Sequence, residues 1–205
     1  SSIVLILIII FFINKGSIFL NLFILFCFLI SLYEWHMMKK NNIHYISGII
    51  FLFFSFYSVF RLTNFEVDYS YFLFILLICI STDIGGYIFG KFFKGKKLTK
   101  ISPNKTYSGM LGSFTLSLVV SYLFLELTTI FHYLKINSIN TLIFILLISS
   151  ISQVGDIIIS YFKRKSKIKN TGNIIPGHGG LLDRIDGMIF AFPLGYLVLY
   201  LEILK

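Results

Sequence analysis

Four aspartates, Asp83, Asp156, Asp183 and Asp186, stand beside glycines and lysine-rich stretches in a chain that is otherwise strongly apolar. Asp183 and Asp186 are three residues apart, which on a helix sets both side chains on one face, within reach of a shared ion. Hard divalent cations such as Mg2+ take carboxylate oxygens and complete their shell with phosphate and water. Just before the pair comes Pro176-Gly177-His178-Gly179-Gly180. Glycines let backbone amides approach a phosphate closely, and the amino terminus of a following helix adds a positive dipole. Lys163, Arg164, Lys169 and Arg184 supply cations on both sides. Carboxylates for a metal, with amides and cations for phosphates, suit a polyphosphate substrate.

Each part taken alone has an ordinary structural reading. A Gly-Gly pair is usually a turn, a lone His is more often hydrogen-bonded than catalytic, and an Asp-x-x-Asp pair can cap a helix or pair with Arg184. Their conjunction between Ser160 and Asp186 carries the functional reading, since chain orientation alone requires none of it. Carboxylates near membrane depth are costly and mark function by default.

The elements that must hold these residues are membrane helices. The chain has 205 residues, of which 57% are hydrophobic and 13% charged, with a mean hydropathy of +0.87. Soluble domains are about 45–50% apolar and about 25% charged, so a water-soluble domain is excluded, as are disordered and collagen-like chains. Crossing a bilayer takes about 20 apolar residues. Candidate spans run over 17–33, 44–60, 69–90, 108–131, 141–161 and 187–204, and a shorter apolar run over 3–13 brings the membrane segments to about seven. The expected fold is an all-α polytopic membrane bundle forming a single domain over 1–205. The opening Ser1, in place of Met, suggests an incomplete amino end. Cys27 and Cys79 lie in apolar runs and read as packing residues. Gly109, Gly112 and Ser113 are a weak sign of close helix contact.

Net charge is +9, and all of the 18 basic residues except Lys15, Arg61, Lys135 and Lys205 fall in alternate loops on one side. The positive-inside rule puts that side, with the amino end, in the cytoplasm. Nucleic acid is excluded as a partner, because the basic residues sit in membrane-flanking loops without interleaved exposed aromatics.

The tract SYFKRKSKIKNTGNIIPGHGGLLDRID, Ser160 to Asp186, resembles the signature of the phosphatidate cytidylyltransferases. Ser160, Lys163, Arg164, Lys169, Gly172, Pro176, Gly177, His178, Gly179, Gly180, Asp183, Arg184 and Asp186 match in register. Gly155-Asp156 looks like the lead into that signature. The stretches Asp83 to Tyr87 and Ile101 to Thr106 resemble an earlier cytoplasmic motif of the family. The resemblance thus covers the chain from about Asp83, a catalytic half over 83–187, and Tyr33-Glu34-Trp35 is only faintly similar.

What the resemblance implies is transfer of a cytidylyl group from CTP to phosphatidate in a bacterial plasma membrane, with membrane lipids and a second copy of the chain as partners. On that footing Asp156, Asp183 and Asp186 hold Mg2+, with room for a second cation, while Lys163, Arg164, Lys169 and Arg184 bind phosphates. His178, Gly179 and Gly180 line the same pocket, Ser102 and Lys105 close it, and Asp83 is a further ligand or a structural residue. Two positions depart from the pattern: Asn170 replaces an Asp and Ile159 a Glu. These keep open an impaired paralogue, beside a lipid kinase or another CTP-using transferase. A cation-coupled transporter is a further alternative, although it would more naturally put acids at mid-span and show paired halves.

Overall fold

A computed structural model of the chain describes residues 2–38, 42–64, 69–99, 102, 105–127, 138–172 and 179–201. Within them the chain forms helices α1 (Ser2–Lys15), α2 (Ser17–Met37), α3 (Asn42–Thr63), α4 (Ser70–Phe93), α5 (Tyr107–Leu127) and α6 (Ser138–Lys165). A single turn, α7 (Leu182–Ile185), and α8 (Met188–Tyr200) follow. Helices α2 to α6 are long and apolar enough to cross a membrane, whereas α8, at 13 residues, is shorter. The protein is therefore a polytopic helical membrane protein. The expected run over 3–13 is α1, separated from α2 by Gly16, whose φ of 108° favours glycine.

In hydrocarbon every backbone polar group must be satisfied within the protein, which favours helices and places side-chain hydroxyls where a helix is broken. Pro193 lies inside α8 and has no amide to offer the carbonyl of Ile189, one turn back. Ser55 of α3 donates to that carbonyl at 2.6 Å, so the break in α8 becomes a bond between helices. Likewise Ser113 of α5 donates to the Thr82 carbonyl at 2.8 Å, and Thr82 of α4 bonds Ser149 of α6 at 2.9 Å.

Helices α4 and α5 pack closely along a seam of small residues. A Cβ on Gly85 would strike the Gly112 carbonyl, one on Gly112 would strike Phe89, and one on Gly86 would come 2.8 Å from Ser113 Oγ. The weak small-residue signal is therefore a real contact surface. One apolar core centres on Phe74, Ile75, Phe144 and Ile148, with the Phe74 and Phe144 rings stacked 6.1 Å apart. A second joins Trp35, Leu52, Ile159, Leu182 and Ile189. Outside these, Ile18, Leu22, Phe26, Leu111 and Tyr122 are exposed, an apolar exterior suited to lipid.

Helix α6 runs four residues beyond the expected 141–161 span at its carboxyl end, so Lys163, Arg164 and Lys165 sit in its last turn. Cations are favoured there by the helix dipole. The cations expected in a loop thereby gain a rigid mount.

Candidate active site

Three elements meet at one end of the bundle: the last turns of α6, the turn of α7, and the loop from α4 to α5. That loop is closed by a single antiparallel bridge between Lys97 and Thr106. The Leu98 amide donates to the Lys105 carbonyl at 2.7 Å and the Tyr107 amide to the Lys96 carbonyl at 3.0 Å. Ser102 belongs to a tight turn: its amide donates to Thr99 Oγ1 at 3.1 Å, and its carbonyl accepts from the Lys105 amide at 3.1 Å. The turn aims Lys105 at α6, where its ammonium pairs with Asp156 and also donates to the Gln153 carbonyl at 3.3 Å.

Asp156 and Asp186 lie within electrostatic reach of each other, with Asp83 of α4 within reach of both. Burial, and then the charges of Asp156 and Asp83, push the Asp186 carboxyl well above the usual carboxylate range, against the pull of Lys163. Asp186 also accepts the Gly187 amide at 2.9 Å, and Asp156 accepts Ser160 Oγ at 3.3 Å. Glycines permit the approach: a Cβ on Gly155 would lie 3.0 Å from the Asp186 carbonyl, and one on Gly187 2.8 Å from the Ser152 carbonyl.

Asp183 faces other partners. Its Oδ1 accepts Lys163 Nζ at 2.8 Å, and its Oδ2 accepts the amides of Thr171 at 2.8 Å and Gly180 at 3.0 Å. Burial alone would raise its carboxyl, but these three hydrogen bonds and the Lys163 charge hold it below the usual range. Asp183 lies in α7 and Asp186 directly follows it, and their hydrogen bonds run to different partners: Asp183 to Lys163, Thr171 and Gly180, and Asp186 to the amide of Gly187.

Among the described residues no three His, Cys, Asp or Glu side chains form a ready-made metal cage. The acids gathered at Asp156 and Asp186, with Asp83 close by and Lys105 and Lys163 as the nearest cations, nonetheless suit Mg2+. That ion is commonly held by one or two carboxylates and completes its shell with phosphates and water.

Of the other expected residues, Arg164 and Lys169 are exposed, Arg184 is half-buried, and Gly179 and Gly180 are buried at the start of the α7 segment. Gly179 has φ 88°, and a Cβ there would meet Asp183 Oδ2 at 2.8 Å, so two separate constraints demand glycine. His178 lies outside the described residues. Ile159 is 2% exposed within the second apolar core, where it packs rather than ionises. Asn170 is exposed, and its side chain borders Gly179.

One residue escaped the sequence reading. Glu34 of α2 is 1% exposed, and its carboxylate accepts Thr171 Oγ1 and the amides of Leu181 and Leu182, each at 2.8 Å. The available signal was its isolation, an acid inside an apolar span.

A cluster of carboxylates and cations at one end of a helical membrane bundle suits a phosphate-bearing ligand. Residues 2–202 match the cytidylyltransferase family, and the chain belongs to it. It is a nucleotidyltransferase. Phosphatidate cytidylyltransferase of Rickettsia typhi is 37% identical over 166 residues, 78% of this chain and 72% of the relative. The Bacillus subtilis enzyme of the same name is 38% identical over 133 residues, 64% of this chain and 48% of the relative. That of Staphylococcus saprophyticus is 42% identical over 125 residues, 60% of this chain and 46% of the relative. The matched stretch thus spans about half the length of the last two.

Proposed function

We propose that this chain transfers the cytidylyl group of CTP to phosphatidate, giving CDP-diacylglycerol and pyrophosphate for phospholipid synthesis. The single observation that supports the reading most is the gathering of Asp156, Asp183 and Asp186 with Lys105, paired to Asp156, and Lys163, paired to Asp183, at one end of the membrane bundle.

The lipid phosphate already carries an oxyanion, so no serine or cysteine needs activation. Its oxygen attacks the α-phosphorus of CTP, a new P–O bond forms, the bridging P–O bond to the β-phosphate breaks, and pyrophosphate departs with that electron pair. What the protein contributes is in-line placement and a field that favours charge on the phosphates. A divalent cation, held by Asp156 and Asp186 with Asp83 as the nearest third acid, neutralises triphosphate charge when bound. Lys105 pairs with Asp156, and Lys163, held by Asp183, brings a second cation to the acids. Arg164, Lys169 and Arg184 are the cations offered to the phosphates, beside Gly179 and Gly180, and the family resemblance assigns His178 to the same pocket. Asp183 holds Lys163 and the amides of Thr171 and Gly180.

The positive-inside rule supports a cytoplasmic setting for this end of the bundle, where CTP is available, and the apolar exterior suits sideways approach of a diacyl substrate from the bilayer. A homodimer belongs to the same reading, and the mass of the detergent-solubilised particle tests it. The decisive assay incubates purified protein with labelled CTP and phosphatidate, with and without Mg2+. Wild type forms labelled CDP-diacylglycerol only with the cation, and Asp186→Asn abolishes it. Normal turnover by the variant refutes the assignment, and a phosphorylated alcohol as product would make the protein a kinase.

A further inference from the structure

An acid inside a membrane span must be compensated locally, because no water is available to solvate it. For Glu34 the compensation is specific. All three of its recorded donors, Thr171 Oγ1 and the amides of Leu181 and Leu182, come from the two sides of the signature segment that ends at Asp186. Asp183 grips the same segment from within, through the amides of Thr171 and Gly180. Thr171 is therefore held twice, its amide by Asp183 and its hydroxyl by Glu34.

The glycine spacing of the signature fits this clasp. A Cβ on Gly172 would come 2.9 Å from Glu34 Oε1, and one on Gly180 would strike both the Glu34 carboxylate and Thr171 Oγ1. The helix that carries Glu34 is fixed next door. The Trp35 ring packs edge-on against Phe162 of α6 at 5.4 Å and donates to the Tyr45 carbonyl at 3.2 Å.

We propose that Glu34 is a positioning residue for the candidate active site: from α2 it fixes Thr171, Leu181 and Leu182, and so sets the place of Asp186 against Asp156. The proposal rests on the function proposed above only for its effect on turnover. Its structural core, the tethering of Thr171, Leu181 and Leu182 by one carboxylate, stands apart from that reading. It makes α2 part of the frame of the site and more than a membrane anchor.

The test uses the full chain in detergent, as wild type, Glu34→Gln, Glu34→Ala and Thr171→Val. Thr171→Val keeps the carboxylate and two of its donors, so it serves if the Glu34 variants fold poorly. Backbone amide exchange is followed in peptides covering 171–182 and, as a reference, in α4 and α5. Hydrogen bonds to a charged group are strong enough that their loss speeds local exchange by about tenfold or more. The expected result is that acceleration in 171–182, graded Ala over Gln over Thr171→Val, with α4 and α5 at wild-type rates. In the same proteins kcat/KM for CTP falls in the same order, while the melting transition remains cooperative. Wild-type exchange in 171–182 of the Glu34 variants overturns the proposal. Loss of protection throughout the bundle in every variant, Thr171→Val included, overturns it as well, since Glu34 would then be a general packing residue. A wild-type protein that turns over no CTP but shows the local exchange pattern would defeat the functional reading and leave the role of Glu34 intact.

Discussion

Lys105 and Asp156 form an ion pair between the loop that follows α4 and the body of α6, so the two stretches that carry the chemistry meet through one charge contact. Both side chains are mostly covered, at 23% and 31% exposure, so solvent screens the pair less than it would on an open surface.

Replacing Lys105 by Met keeps the apolar stem and removes the charge beside the acids. Turnover of CTP should fall by about tenfold to a hundredfold, while the apparent affinity for Mg2+ tightens by several-fold, because the carboxylates lose a competing cation. A Mg2+ titration of turnover in Lys105→Met against wild type reads both effects.

Asp183 and Asp186 should answer pH and mutation with opposite signs. The Asp183 carboxyl sits below its usual range, so its contribution to stability is present above about pH 4 and is lost as pH falls through the lowered value. The Asp186 carboxyl sits well above its usual range, so its ionisation costs stability increasingly as pH climbs from about 4 toward the raised value. At neutral pH in a chelator, Asp183→Asn should lower the melting temperature by about 2–4 °C and Asp186→Asn should raise it by a similar amount. Near pH 3 both differences should shrink. Melting curves of the two variants at the two pH values decide the matter.

Two glycines with positive φ provide a matched comparison. Gly179 (φ 88°) is crowded by Asp183 and Asn170, whereas Gly16 (φ 108°) has nothing within 4 Å. Both Ala variants should lose about 1–3 kcal/mol from a positive-φ backbone that L side chains rarely adopt. Only Gly179→Ala should also lose most CTP turnover, since its methyl group displaces the Asp183 carboxylate. Melting temperature and kcat, measured together, separate strain from displacement.

The α4 and α5 seam should tolerate no added bulk. Gly112→Ala drives a methyl group into Phe89 and should cost about 1–3 kcal/mol, whereas Leu111→Ala, on the exposed face of the same helix, should cost little. Thermal unfolding in one detergent checks the contrast.

Composition and hydropathy determined that this is a helical membrane protein, because a run of about 20 apolar residues has few other stable fates. The signature from Ser160 to Asp186 was likewise legible, since it lies within one continuous stretch whose residue types state their chemistry. Only the tertiary structure decided which acids stand together. Spacing along the chain paired Asp183 with Asp186, but in the packed bundle Asp183 is held by Lys163, Thr171 and Gly180, while Asp156 and Asp83, from two other helices, come within electrostatic reach of Asp186. Glu34 lay more than a hundred residues from its donors, and its role depends on a contact that local periodicity cannot express. Sequence pattern records what a segment prefers alone, whereas the site is made by charges and amides that meet only after the helices have packed.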